Sequence, residues 1–423
     1  MTRMDALHGI KQAIAPQVLF LLRLWRRLRG YRVDFVLLAV TAVRSVRPRR
    51  ANLVDRISTS QKKILVIRLD AIGDLIMATL IFRELKLQFP DSVVTAIIQP
   101  RNREILETNR SVDRILCPPP LKKSRLFPRL RQDLALVQFY RKHLRNEFFD
   151  IAVQPKLGPD YYGANLLLKL VGAPLSVKYE DVSLRGPSAG IPALAFRSMV
   201  TIPNPEPRHE VISNRAIIQR LTGNPCISIP ELFLTGEDDS FSDGVLKAIQ
   251  PGAAIVSISF GAQARRRQWP LERWAEMLSL LDAGKPIHAL LICTKSEEDD
   301  ARQLQQLLTV DNGLVCGASL RKVAAVLKKS DIFIGPDSGL AHLAAAVGCK
   351  PLVISPHPMD GDPEHENSPV RFRPFSSHTK VIQPKAGIAP CTTACDAISS
   401  HCILQITPAE VALACGEMLR CHR

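Results

Sequence analysis

Residues 331–356, DIFIGPDSGLAHLAAAVGCKPLVISP, constrain the fold more than any other stretch of the chain. Asp331 to Gly335 is a short apolar run, as in a buried strand. Pro336-Asp337-Ser338-Gly339 is a turn. The alanine-rich Leu340 to Val347 reads as a helix closed by Gly348, and Pro351 to Ser355 as a second buried strand. Strand, tight polar turn, helix and strand form the unit of an α/β protein with a parallel sheet. Asp337 or Ser338 is placed to cap the helix, and Gly339 lets a ligand or another backbone come close. Free amides and the dipole at such a helix start attract an anion, phosphate above all. An ordinary capped helix has the same sequence, so the anion needs support from elsewhere in the chain.

The rest of the chain repeats this alternation. Ile64 to Ile67 is a buried strand, Arg68 to Asp74 a turn, and Leu75 to Phe89 a helix stopped by Pro90. A strand at 93–98, a helix near 101–108, a strand near 113–117, a basic helix near 130–146, a strand at 149–153 and a helix near 160–170 follow. Residues 181–207, rich in Pro, Gly and Ser, read as an exposed loop before a helix over 208–221. In the second half, strands at 254–260, 288–293 and 313–316 alternate with helices at 271–281, 297–308 and 319–329. With the opening segment they make five parallel strands. The expected architecture is therefore two doubly wound α/β domains, 61–236 and 237–423, behind an extension of residues 1–60. Ligands bind at the carboxyl ends of such strands, so turns 68–74 and 335–339 should face one central cleft.

Charge is uneven. Residues 1–60 hold twelve Lys/Arg against three Asp/Glu, a surplus of nine out of the chain's +16. The basic excess points to an anionic partner, but it belongs largely to the arm, and aromatics are only 5%. A nucleic-acid surface with stacking aromatics is disfavoured. Within residues 10–50, Leu21, Leu24, Trp25 and Leu28 share one helical face flanked by Arg23, Arg26, Arg27 and Arg29. That is the pattern of a basic amphipathic helix on an anionic membrane surface, and equally of an extension packed on its own domain. No apolar run is long enough to span a bilayer, and no signal-peptide cleavage site stands out. Scattered cysteines in apolar runs fit reduced thiols in a cytoplasmic protein.

Several residues carry candidate chemistry. The first turn holds Asp70 and Asp74 around a single glycine, and the dinucleotide fingerprint G-x-G-x-x-G is absent, which disfavours a dehydrogenase. Asp74 is placed either as a general base toward a sugar hydroxyl or as a cap of the following helix. The loop GAQARRRQWP, 261–270, offers arginines to a diphosphate or is a solvated face. Glu297 and Glu298 stand where ribose hydroxyls could be held, or simply in a first helical turn. His342 either packs the helix or donates to a phosphate. Cys391, Cys395, His401 and Cys402 lack paired C-x2-C units, so packed thiols or a disulfide are expected there rather than a metal.

ILVIRLDAIGDLIMATLIFRELKLQFP, GAQARRRQWPLERWAEM, PDSGLAHLAAAVGCKPLVISP and the tail HCILQITPAEV occur in an order that resembles glycosyltransferase family nine, the heptosyltransferases of lipopolysaccharide synthesis. The likeness covers about residues 62–412. It implies a GT-B fold, with acceptor on the first domain and nucleotide sugar on the second. It also implies an inverting transfer, from ADP-heptose by family, to an anionic glycolipid of the bacterial envelope. Asp74 would be the base. Arg267, in place of the family's lysine, would hold the donor phosphates with Asp337, Ser338, Gly339 and His342. Glu297 or Glu298 would meet the ribose. No cofactor and no bound metal is implied, and the basic arm would keep a cytoplasmic enzyme at the inner-membrane surface. Two departures stand out: Ala78-Thr79-Leu80 replaces the family's threonine-proline, and HPMDGDPEHENSP replaces its usual loop after the last strand. A nucleotide-sugar epimerase of the same build, or a non-catalytic sugar-nucleotide-binding protein, are the alternatives.

Overall fold

The computed structural model describes residues 61–120, 128–158, 160–179, 199–202, 209–281 and 284–420. The basic arm lies outside them. The first lobe runs β1 (Lys63–Arg68), α1 (Ile72–Gln88), β2 (Val93–Ile98), β3 (Arg114–Leu116), α2 (Pro128–His143), β4 (Ile151–Gln154), α3 (Ala164–Val171), β5 (Leu175–Tyr179), β6 (Met199–Ile202) and α4 (Glu210–Thr222). After α5 (Gly236–Leu246) the second lobe runs β7 (Ala254–Ile258), α6 (Leu271–Leu280), β8 (Ile287–Cys293), α7 (Glu298–Leu307), β9 (Asp311–Cys316), α8 (Leu320–Lys329), β10 (Ile332–Pro336), α9 (Gly339–Ala346), β11 (Pro351–Ile354), β12 (Lys380–Ile382) and α10 (Pro408–Arg420).

The strand orders are β3-β2-β1-β4-β5-β6 and β12-β11-β10-β7-β8-β9. The pairings within both sheets are parallel. Counted from each lobe's first strand, both sheets have the doubly wound order 3-2-1-4-5-6. The order reverses between β1 and β4 in one sheet and between β7 and β10 in the other. Turn 68–74 follows β1, and turn 336–339 follows β10. Both therefore emerge at a switch point, where neighbouring connections leave toward opposite faces and open a crevice.

Sequence composition explains why the centre of each sheet is dry. Ile64, Leu65, Val66 and Ile67 of β1 are all fully buried, as expected of a parallel strand covered on both faces. Helix α1 is apolar nearly all round, and Leu75 to Phe82 are all buried. A helical stretch with no polar face has to be enclosed. One continuous apolar cluster joins Ile64, Leu75 and Ile81 to Phe333 and Leu343, so the lobes share a core at the base of the cleft.

Three local expectations are corrected. Residues 181–207 are not loop throughout, because Met199–Ile202 forms β6 beside β5. The second sheet has six strands rather than five, because Lys380–Ile382 pairs with β11. The helix near 101–108 is a single 3-10 segment, Pro100–Ile105. Its proline supplies a start, but too few residues follow for an α-helix to propagate.

Candidate active site

At the end of β1, Arg68 is 1% exposed and surrounded by carboxylates. Its guanidinium lies 3.2 Å from Asp70, 3.1 Å from Asp74 and 3.6 Å from Glu210. Lys156, after β4, pairs with Asp70 at 2.5 Å, and Arg371 from the second lobe pairs with Glu210 at 2.8 Å. Three cations thus face three anions where the desolvation of any one charge would otherwise be prohibitive. Burial alone would lower the Arg68 pKa, but Asp70, Asp74 and Glu210 together hold it above its ordinary value. Burial pushes the Glu210 carboxyl up, against the pull of Arg68 and Arg371. Asp74 stands at the third position of α1, where its carboxylate accepts from the Ala71 amide at 3.3 Å and from Arg68 at 3.1 Å. It caps the helix, as one reading of the sequence had it. Its side chain remains 21% exposed, so one edge is open to a ligand.

The second lobe supplies an electropositive turn. Ser338 is the N-cap of α9 by backbone geometry, yet its hydroxyl makes no cap bond and is buried without a partner. A buried donor left unmade is costly, and it lies at a helix start with unsatisfied amides. Arg267 leaves the loop after β7 and donates to the Asp337 carbonyl at 2.8 Å. Its guanidinium is 3.6 Å from the Asp337 carboxylate and also donates to the Asn367 side chain. Burial raises the Asp337 pKa, with Arg267 and His357 pulling the other way.

The two turns meet directly. A Cβ on Gly73 would fall 2.6 Å from His342 Cδ2, and one on Gly339 2.8 Å from Ile72 Cβ. Helices α1 and α9 therefore touch start to start, and glycine is required at both contact points. His342 is buried against Gly73, and its Nδ1 has no partner. Burial lowers its pKa to about 4, with Asp74 raising it and His209 lowering it further, so the ring is neutral at pH 7. The contact puts Asp74 one residue from the atoms that face the Ser338–His342 turn.

The model of glycosyltransferase family 9 (heptosyltransferase) matches residues 140–355, more than half of the chain. The chain belongs to glycosyltransferase family 9. It is accordingly a glycosyltransferase. No curated protein matches it. Among solved structures it is similar to a family 9 glycosyl transferase from Veillonella parvula DSM 2008, with TM-score 0.65 and 16% identity over 85% of this chain and 97% of that one. It is also similar to the E. coli ADP-heptose LPS heptosyltransferase II, with TM-score 0.59 and 16% identity over 84% and 98%. The E. coli heptosyltransferase WaaC with ADP gives TM-score 0.58 and 16% identity over 84% and 99%. At that identity the likeness is one of fold, and the fold is GT-B.

Within this family 9 fold, Arg267, Asp337, Ser338, Gly339 and His342 come together at one turn, with Asp74 opposite. The two glutamates separate. Glu297 bonds the Thr294 amide and hydroxyl at 2.9 and 2.7 Å, and its carboxyl carbon would lie 2.6 Å from a Cβ on Gly261, at the start of the arginine loop. Glu298 pairs with Arg302 at 2.7 Å and Lys295 at 3.5 Å, which is the ordinary work of a first helical turn. Sequence reasoning did not single out Arg68, Lys156, Glu210, Asn367 or Arg371. Arg68 and Asn367 lie within segments that drew attention for other reasons. Glu210 and Arg371 carry no local signal.

Proposed function

We propose that this enzyme transfers a heptose from ADP-heptose to an anionic glycolipid of the lipopolysaccharide core, with inversion at the anomeric carbon. The acceptor oxygen attacks that carbon, the bond to the diphosphate oxygen breaks, and ADP leaves with the electron pair. Asp74 takes the hydroxyl proton. The amides of α9, the Ser338 hydroxyl and Arg267 meet the charge that grows on the leaving group. Glu297 is the better placed of the two glutamates for the ribose. Residues 10–50 hold the enzyme on the cytoplasmic face of the inner membrane. Among the described residues no helix is long and apolar enough to cross a membrane.

The observation that carries this reading is the contact of Gly73 with His342 and of Ile72 with Gly339. A base and an anion-binding helix start are thereby one turn apart on opposite lobes, as direct displacement requires. The names of the E. coli relatives, one with ADP and one acting with ADP-heptose, support the choice of donor.

The test is a thermal-shift screen of nucleotide sugars followed by transfer assays. A ligand that binds only the native state raises its melting temperature, and ADP-heptose should give the largest rise. Asp74→Asn should reduce transfer by at least a thousandfold while ADP affinity changes less than threefold. Unaltered turnover in that variant would remove Asp74 from the mechanism. Incubation with donor alone should return the sugar unchanged; an epimerised product would overturn the transferase reading of this site.

A further inference from the structure

A second cluster lies in the tail. Cys391 Sγ is 3.6 Å and Cys402 Sγ 3.4 Å from His401 Nδ1. With Cys395, the four donor atoms all lie within 4.8 Å of one another. Ligands at about 2.0 Å (nitrogen) and 2.3 Å (sulfur) from a tetrahedral centre sit roughly 3.5–3.8 Å apart. The two sulfur–nitrogen separations fall at that edge length. The three cysteines are 7, 3 and 0% exposed and form a small apolar cluster of their own with Ala397. None of them is in a disulfide. The spacing C-x3-C-x6-C, without paired C-x2-C units, argued for packed thiols or a disulfide. The fold shows free, packed thiols there, and irregular turns over 391–402 also bring the four donors to one point.

We propose that Cys391, Cys395, His401 and Cys402 hold one tetrahedral transition-metal ion, Zn(II) by ligand chemistry. Three soft sulfurs and an imidazole favour that ion over magnesium or calcium. Four protein ligands leave no open position, so the site is structural and takes no part in transfer. Binding exchanges three thiol protons for one divalent cation. Burial, with the neighbouring Cys395 and Cys391, holds the Cys402 thiol up at about 12.

The metal's place in the fold gives it a task. Ser400, beside the ligand His401, donates to the Arg265 and Gln268 carbonyls at 3.3 and 2.7 Å. Thr393, between two ligands, accepts from the Asp362 amide at 2.7 Å. Arg273 reaches the Leu404 and Ile406 carbonyls at 2.7 and 3.0 Å. The loop that carries Arg267 and the loop that leads to Asn367 thus both lean on the metal-bound turn. The ion clasps the tail to the second lobe and fixes these two loops.

Full-length protein purified under reducing conditions should contain about one zinc per chain by elemental analysis. After chelation it should take up one equivalent of Co(II), with the visible ligand-field and sulfur-to-metal charge-transfer bands of a tetrahedral thiolate site. The cobalt titration uses the native sequence, so it stands even where Cys395→Ser, which should lose the metal, fails to fold. Metal removal should speed amide exchange over 387–402 and over 262–268. Substoichiometric metal without cobalt bands, or two of these thiols recovered as a disulfide, would overturn the site. Unchanged exchange at 262–268 would overturn the clasp. None of these readouts depends on which sugar the enzyme moves.

Discussion

Ser338 isolates what a functional residue looks like when stability does not explain it. Its hydroxyl occupies the N-cap position, is buried and has no partner. A group that only stabilised the helix would bond an amide there. Ser338→Ala should therefore leave the melting temperature unchanged or slightly raised, while ADP affinity by calorimetry falls about tenfold, the worth of one hydrogen bond to a charged oxygen. Loss of stability with unaltered affinity would return Ser338 to a purely structural role. His342 works the other way. Burial lowers both it and His209 to about pKa 4 from an ordinary 6.5. Between those values the unfolded chain binds more protons, so stability rises with pH across the window and is lost as pH falls from 6.5 toward 4. Each ring contributes at most about 3 kcal/mol to that loss. Melting curves should show a steep fall over this range, and His342→Gln should flatten it. A curve equally steep in the variant would assign the acid sensitivity elsewhere.

At the scale of elements, the apposition of α1 and α9 is the joint on which the site depends. Gly73→Ala puts a methyl 2.6 Å from His342 Cδ2. Overpacking of this kind costs about 1–3 kcal/mol. The variant should melt several degrees lower and lose transfer activity, because Asp74 is displaced from the α9 turn along with the helix start. Normal activity at the lower melting temperature would mean that the joint is packing alone. Much of this was legible from residues. Short apolar runs ending in polar turns gave the strand–helix order, and the turns at 68–74 and 336–339 lie at the two switch points. Strands β5, β6 and β12 escaped, and β6 lies in a segment whose Pro and Gly content reads as loop. The Arg68–Glu210–Arg371 chain escaped for a different reason. Its partners are brought together from sites 142 and 161 positions apart by topology alone, and no local period records that. The cysteine cluster was visible as residues but not as geometry, because its convergence depends on irregular turns.

At the scale of the whole molecule, the lobes are held by charge as well as by a shared core. Arg321 of α8 reaches Glu107 at 3.2 Å, and Glu104 accepts from the Leu320 amide at 2.8 Å. Arg371 enters the first lobe to meet Glu210. These contacts consume cations inside the fold. The arm differs: residues 1–60 carry a surplus of nine positive charges, leaving +7 for all the rest. A basic segment beside an anionic bilayer gains about 1 kcal/mol per Lys or Arg at the surface, and salt screens that gain. The full-length protein should therefore sediment with vesicles containing one-third anionic lipid and dissociate as salt is raised. Deleting residues 1–57 should weaken this binding by at least tenfold while leaving ADP affinity unchanged, which separates a lost anchor from a lost fold. Equal vesicle binding by the two proteins would refute the membrane role of the arm. A salt-insensitive attachment lost with the deletion would replace the electrostatic account with an apolar one, carried by Leu21, Leu24, Trp25 and Leu28.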